Sequence, residues 1–578
     1  MTDAAADRPA LPDALMPAIV DACRLALEHT GEDGRLMYAP GEFTYLHNTR
    51  GIAALAVAYT SEHPDNPLHG DAALADLIRR AGRFMVRHHL DPENSPPGHM
   101  WYEGREIHEW PYELWLAAYR VLKDAGADDL VEGWEEGLRA GGEVFQRWIP
   151  EIAHLRTASS PNFNISPNHF AFFILNALET AILFDNPAAR DAALERARWI
   201  TGQQHPDGYW AETDGPTTSY NFITTAAVGG YYRLTGERVF LDALRRALDF
   251  HTRYLYPDGT FLETIDQRIR YREHPVENWA WTLYAFSLFP EGRALNEYVA
   301  RKMDYFRRPK AVPRVGRLAK AFVNYQSGEV APQPEAITHG AFRLSRPGGI
   351  VKDGTWAVGL SGLNSRPRPH RYTMDRMNCL SVWHADTGLI IGGGNARNQP
   401  EAATFHKRVR IDPQATPEGL THMDVCTPVT GSLDLTEKGG TLRVGYWGFD
   451  GEIAAEIVDA RRLRLTVGAW ARNDQAPIQF TPNLRLLPDV PLVTAAGREI
   501  AIDGTAFELT ADEMGDWVGQ GAWRLSVPPN ATLIYPYRPR TSREPDAVPV
   551  ADMYALLTVP LANEAVILEV TVKATRPS

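Results

Sequence analysis

Cysteine is nearly missing from this chain: Cys23, Cys379 and Cys426 are the only three in 578 residues, far apart and without C-x-x-C spacing. That excludes a disulfide framework and suits a reducing compartment. Apolar runs of about 18 residues, the length that crosses a bilayer, are also missing. The opening M-T-D-A-A-A-D-R-P carries neither the basic nor the apolar segment of an export signal. A cytoplasmic protein with no membrane partner is the reading. Positive charge is in deficit, with 59 Lys and Arg against 72 Asp and Glu and a net charge of −13. A net acidic surface repels nucleic acid, so no such partner is expected, and a polyanionic substrate would need a local basic cleft.

Strand-like alternation is absent over residues 14–307, where apolar residues recur at helical spacing in about eleven segments. What is abundant is aromatic: 15 Trp, 22 Tyr and 21 Phe, many beside acidic residues between helices. Flat rings edged by carboxylates and amides suit sugar rings, which stack through C–H faces and hydrogen-bond at their rims. Most of them also serve as packing. A loop resembling itself recurs as D-G-R-L-M-Y at Asp33–Tyr38, G-H-M-W-Y-E at Gly98–Glu103, D-G-Y-W-A-E at Asp207–Glu212 and D-G-T-F-L-E at Asp258–Glu263. A helical hairpin repeated about every 50 residues buries each hairpin on its neighbours. Five or six hairpins close into an α/α toroid, and an open helical solenoid is the alternative.

After Phe306 the composition changes. Arg307–Arg317, R-R-P-K-A-V-P-R-V-G-R, reads as a basic, Pro-broken linker. Beyond it come short β-rich runs bounded by Gly, Pro, Asn and Asp, among them Ile350–Leu360, Thr441–Trp447 and Leu463–Trp470. That cadence predicts an antiparallel β-sandwich. The expected organisation is an (α/α)5–6 toroid over residues 1–310, an incomplete barrel, followed by the sandwich over 311–578.

The candidate chemistry sits at two helix openings. Asn162–Asn176 reads N-F-N-I-S-P-N-H-F-A-F-F-I-L-N, with Ser166 a candidate N-cap and Pro167 a first helical residue. Asn168 and His169 then fall in the first turn, where free N–H groups and the dipole favour an anion. Fifty-one residues after His169, Tyr220 and Asn221 open the next inward helix. An Asn, a His and a Tyr form a coherent set for β-elimination beside a uronate. A neutral amide hydrogen-bonds the substrate carboxylate and spreads the developing charge, while two further groups exchange protons with the sugar.

This arrangement resembles the heparinase II/III-like and related alginate-type polysaccharide lyases. The resemblance rests on the helical toroid, the sandwich, the Asn-His and Tyr helix openings, and Arg368–Gly394, which is similar to that family's H-x-[HY]-x-x-D…G-L segment. It implies a carbon–oxygen lyase acting on an anionic, uronate-containing oligo- or polysaccharide, and a homo-oligomer is compatible with it. It also implies a β-domain histidine in the cleft, here His370. Candidate subsites are Tyr45, His47, Arg50, Trp101, Tyr102, Trp210, Glu212, Asn221, Arg371 and Tyr372. No cofactor is required for elimination. Some members hold a structural zinc, for which His370, Asp386 and His422 stand at separations of 16 and 36 residues, and His370 does not readily serve as both ligand and cleft histidine. Substrate identity is where the chain departs most: the pattern around the first His is reduced to P-N-H-F.

Two rival readings stay open. The stretch W-Y-E-G-R-E-I-H-E-W-P-Y-E supplies Glu103, Glu106, Glu109 and Glu113, and later loops add Glu212, Asp214, Glu263 and Asp266. Paired carboxylates on facing loops are the machinery of a glycoside hydrolase of the α/α toroid type. Alternatively, Glu109 and Glu113 are ordinary first-turn acids. A non-catalytic carbohydrate-binding protein is the third reading, with the aromatic loops as its rim.

Overall fold

The computed structural model describes residues 10–40, 48–90, 108–152, 167–212, 215–266, 276–302, 315–363, 378–392, 400–407, 428–472, 478–539 and 548–574. The chain forms two compact units. One holds Met1–Ala211, Tyr220–Asp249 and Val276–Pro334, and the other Glu212–Ser219, Phe250–Pro275 and Glu335–Ser578.

The helices are α1 (Met16–His29), α2 (Ile52–Thr60), α3 (Ala72–Leu90), α4 (Glu109–Asp124), α5 (Trp134–Ile152), α6 (Pro167–Leu183), α7 (Pro187–Gly202), α8 (Asn221–Thr235), α9 (Arg238–Arg253), α10 (Val276–Ser287), α11 (Pro290–Lys302) and α12 (Val315–Asn324). The even-numbered helices make a closed ring: α2 packs on α4, α4 on α6, α6 on α8, α8 on α10, α10 on α12, and α12 back on α2. Odd-numbered helices flank it, α1 against α2 and α12, α3 against α2, α7 against α6 and α11 against α10. Closure decides between the two expected architectures in favour of the toroid.

The residues explain which helices go inside. In α2 and α6 nearly every described side chain is buried, whereas α3 buries one stripe and presents its arginines outward. A helix apolar all round must be enclosed, and an amphipathic one covers it. The recurring Asp-Gly loops share one turn. Gly34, Gly208 and Gly259 adopt φ of 76°, 94° and 86°, and the N–H groups of Gly208 and Gly259 each donate to the carbonyl three residues back at 2.8 Å. Their glycines thus supply the left-handed conformation that a reversing loop needs.

One helix was not legible. Val315–Arg317, read above as the end of a linker, is the first turn of α12, while the preceding residues of that stretch lie outside the described residues. Flanking Pro and basic residues masked an apolar stripe at Val315, Leu318, Ala319 and Phe322. This helix closes the ring.

In the second unit, twenty strands among the described residues form two antiparallel sheets of eleven and nine strands. They begin with β1 (His339–Arg343), β2 (Gly348–Asp353), β3 (Trp356–Ser361), β4 (Leu380–His384), β5 (Gly388–Gly392) and β6 (Phe405–Lys407), all in the larger sheet. The nine-stranded sheet ends in the meander β7 (Thr430–Thr436), β8 (Gly439–Gly445), β9 (Phe449–Asp459) and β10 (Arg462–Ala471). Val351, Trp356 and Val358 of one sheet and Leu442, Ile453 and Leu465 of the other share one apolar core, which defines a sandwich. The single run read as Ile350–Leu360 is a hairpin, turning at Gly354 with φ of 90°. Within this unit the loop after α9 is tied to the larger sheet. The ammonium of Lys352 donates to the carbonyls of Arg253 and Leu255 at 2.9 and 3.2 Å, and Trp383 Nε1 donates to Asp258 Oδ2 at 2.9 Å.

At the ring's seam, a β-carbon added to Gly316 would overlap the carbonyl oxygen of Arg50, so α12 can lie this close to the turn before α2 only with glycine there. Gly316→Ala is therefore expected to cost about 1–3 kcal/mol of unfolding free energy, the usual range for an overpacked contact. Urea denaturation measures this, and an unchanged midpoint would contradict the close seam.

Candidate functional site

Two carboxylates one helical turn apart organise the interior of the first unit. Glu109 and Glu113 open α4 and both are fully buried. They are not solvated first-turn acids. Glu109 Oε1 is hydrogen-bonded by His169 Nδ1, in the first turn of α6, and the Glu109 carbonyl accepts from Asn176 Nδ2 at 2.9 Å. Burial alone would raise the Glu109 carboxyl, but the imidazoles of His108 and His169, with the His169 hydrogen bond, outweigh it and hold the group down at about 2. An ionised carboxylate only accepts, so His169 Nδ1 carries the proton in this contact.

The imidazole is also clamped by rings. Trp110 stacks on His169 with centroids 5.0 Å apart and planes 18° from parallel, and the Arg50 guanidinium lies 4.9 Å from the centre of a Trp110 ring. Trp281 of α10 meets Trp110 edge-on at 5.8 Å and receives Arg317 of α12 on its own face at 3.8 Å. Arg317 and Lys320 both pair with Glu113. Residues from α4, α6, α10, α12 and the turn before α2 thus form one buried network of charge and aromatic rings.

Helices α6 and α8 run parallel with level openings. A β-carbon on Gly230, the tenth residue of α8, would lie 2.6 Å from Leu175, the ninth of α6. Tyr231 OH reaches back to the Ala171 carbonyl at 2.6 Å, one turn nearer the start of α6, as a side chain tilted toward its own helix N-terminus does in a parallel pair. Asn168 and His169, in the first turn of α6, and Tyr220, at the N-cap of α8, therefore lie at the same end of neighbouring helices.

The remaining residues singled out in the sequence fall as follows. Asn168 is buried. Trp210 and Asn221 are buried and hold one another: Trp210 N donates to Asn221 Oδ1 at 3.0 Å, and Trp210 Nε1 to the Ile200 carbonyl at 2.9 Å. Glu212 is buried in the second unit, as is Asp266, whose Oδ2 accepts from the backbone and hydroxyl of Ser219 at 2.8 and 3.2 Å. Asp386 pairs with Arg461. Ser166, Tyr45, His47, Trp101, Tyr102, Glu103, Glu106, Asp214, His370, Arg371, Tyr372 and His422 lie outside the described residues, and with them two of the three zinc candidates and the β-domain histidine. Among the described residues no group of three or more His, Cys, Asp or Glu is placed to hold a metal ion. No helix among them is long and apolar enough to cross a membrane.

The sequence reading missed Trp110, Trp281, Arg317 and Lys320. It carried Glu109 and Glu113 only as hydrolase acids or helix-start acids, and their side-chain partners His169, Arg317 and Lys320 are 60 to 207 residues away in the chain.

No protein-family model matches the chain, and no curated protein matches its sequence. Solved structures do match. The chondroitin AC lyase of Streptomyces coelicolor A3, in complex with chondroitin sulphate, aligns over 99% of this chain and 81% of its own at 14% identity and a TM-score of 0.53. A Paenibacillus xanthan lyase aligns over 98% of this chain and 57% of its own at 10% identity and a TM-score of 0.55. A heparinase III aligns over 98% and 85% at 10% identity and a TM-score of 0.53. This chain has the fold of these polysaccharide lyases: a helical toroid followed by an antiparallel β-sandwich.

Arg317 and Lys320 share the one carboxylate of Glu113, and burial pushes the Lys320 ammonium down to about 7. In the unfolded chain a lysine titrates near 10.4, so between about pH 7 and 10 the unfolded state binds more protons and stability rises with pH. Lys320→Met leaves Glu113 with Arg317 and should flatten that rise. Urea midpoints of both proteins at neutral pH and at about pH 9 read the difference, and parallel slopes would contradict it.

Proposed function

We propose that this protein is a lyase that cleaves a uronate-containing oligo- or polysaccharide by β-elimination, with Asn168, His169 and Tyr220 as its catalytic residues. The observation that carries the proposal is the Glu109-fixed His169 at the opening of α6, level with Tyr220 on the neighbouring helix. The shared fold supports it, since chondroitin AC lyase, xanthan lyase and heparinase III are themselves glycan lyases.

The chemistry makes three demands. The hydrogen on the carbon beside the uronate carboxylate is weakly acidic while that carboxylate is charged. The neutral Asn168 amide hydrogen-bonds it and stabilises the charge that develops as the C–H bond breaks. One of Tyr220 and His169 takes that proton, and the other protonates the glycosidic oxygen as its bond to the adjacent carbon breaks. A carbon–carbon double bond remains in the new non-reducing sugar, and no water is consumed. A phenol near its reference value of about 10 needs a nearby cation or helix end to act as base, and the start of α8 provides the latter. The Glu109 contact fixes which imidazole nitrogen takes part.

Hydrolysis by Glu109 and Glu113 is the weaker reading. An inverting or retaining pair needs one protonated carboxyl as acid. Glu109 is held as the carboxylate, and Glu113 is gripped by two cations.

Incubation with alginate, chondroitin sulfate and heparan sulfate oligosaccharides, followed at the ultraviolet band of an unsaturated uronate, tests the proposal. A rise is expected with at least one substrate, whereas new reducing ends without a rise would establish hydrolysis. Tyr220→Phe and His169→Ala should each lower turnover at least about 100-fold, the usual scale for a lost proton-transfer group. Wild-type rates in either would remove that residue from the mechanism. Glu109→Gln keeps the shape but not the charge. It is expected to lower kcat and move the pH–rate profile, and an unchanged profile would reduce Glu109 to a packing role.

A further inference from the structure

The solvent face of the nine-stranded sheet carries a hollow that the toroid chemistry does not use. Thr430 pairs with Gly445, Gly445 with Asp450, and Asp450 with Trp470, giving one cross-strand row over β7–β10. Two residues along each strand, on the same face, lies a second row of Ser432, Arg443, Glu452 and Gly468. The residues between them, Val444 and Ala469 among them, point into the core. Between Thr430, Arg443, Gly445, Asp450 and Trp470 lies a depression of about 320 Å³, within the range of small-ligand clefts (about 300–1,000 Å³).

The depression has a flat wall and a polar rim. A β-carbon on Gly468 would sit 2.7 Å from Trp470 Cη2, so the indole lies along the sheet over Gly468 and turns its other face outward, with 41% of the residue exposed. Trp447, 47% exposed, stands in the β8–β9 turn two residues beyond Gly445. Asp450 beside the hollow accepts from Arg472 Nε at 2.9 Å, and Arg443 Nε donates to Glu452 Oε2 at 2.8 Å. Arg472 engages both carboxylate oxygens of Asp450, and Arg443 lies between Glu452 and Asp434. The surface therefore offers a stacking plane edged by carboxylates and guanidiniums that are paired with one another.

From this we infer a second glycan-binding surface on the β-sandwich, in which a pyranose of a polysaccharide chain stacks its C–H face on Trp470 and hydrogen-bonds its vicinal hydroxyls to Asp450, Arg443 and Glu452. A protein partner that adds a strand pairs at a sheet edge, which here is the outer side of β7, whereas the hollow opens on the face of β7–β10. A ligand recognised by charge would meet a balanced set here. The flat face and mixed rim fit a sugar polymer, held by stacking and neutral hydrogen bonds. This surface is independent of the lyase reading, because it binds without turnover.

The test is native affinity electrophoresis of the full chain through gels containing xanthan, chondroitin sulfate or alginate, at low and high salt. Retardation by at least one polymer is expected, and it should persist at high salt because no ion pairing with the ligand is involved. Trp470→Ala should weaken binding about ten-fold, as loss of a stacked aromatic does, with Trp470→Tyr between the two. Thermal melting of both variants, which change only the solvent face, verifies folding. Tyr220→Phe should bind as the wild type does, which separates this surface from the toroid chemistry. The inference is overturned if no polymer retards the wild type, if Trp470→Ala is retarded equally, or if salt abolishes the retardation.

Discussion

A carboxylate taken out of water is tolerable only beside cations and hydrogen-bond donors. Helix α4 presents two such groups, and the first unit is built to satisfy them. Glu113 takes Arg317 and Lys320 from α12, the last helix of the ring, and Glu109 takes His169 from α6. Removing one partner of such a pair typically costs about 3–5 kcal/mol, because the other charge stays buried and unmatched. Closing the ring is therefore an electrostatic necessity as well as a matter of apolar packing. An open solenoid would leave Glu113 without its cations.

The same constraint shapes the chemistry. A histidine on the rim of a helical bundle has two tautomers and a mobile ring, and neither state is catalytically committed. Here the carboxylate of Glu109 fixes the proton on Nδ1, the Trp110 face fixes the plane, and the Arg50 and Trp281 contacts fix Trp110 in turn. Pre-organisation of this kind lets an acid–base group act without reorganising at the moment of reaction.

Much of this was legible in the residues. Helical spacing located eleven of the twelve toroid helices, and the repeated Asp-Gly loops announced a repeat whose turn geometry Gly208 and Gly259 share. Pro167 opens α6 where the helix-start rule puts it, and Tyr220 and Asn221 stand at the start of α8, directly after the repeated loop. Long-range pairing was not legible. Nothing local connects Glu113 with Arg317, 204 residues on, so a ring-closing helix read as a basic linker. Strand Phe449–Asp459 was missed because its Gly, Ala, Asp and Glu have poor strand propensity, although Phe449, Gly451, Ile453, Ala455 and Ile457 alternate inward. The pairing partners on either side, β8 and β10, supply what its own sequence lacks.

At 10–14% identity the solved lyases share a backbone plan with this chain, and the reaction has to be argued from its own side chains. Elimination and hydrolysis differ in whether water enters the product. Mass spectrometry of the fragments formed from a uronate oligosaccharide in oxygen-18 water reads that difference directly. Elimination predicts fragment masses that sum to the parent mass once anomeric oxygen exchange at the reducing ends, measured on uncleaved oligosaccharide in the same water, is subtracted. Fragments heavier by one labelled water would contradict it.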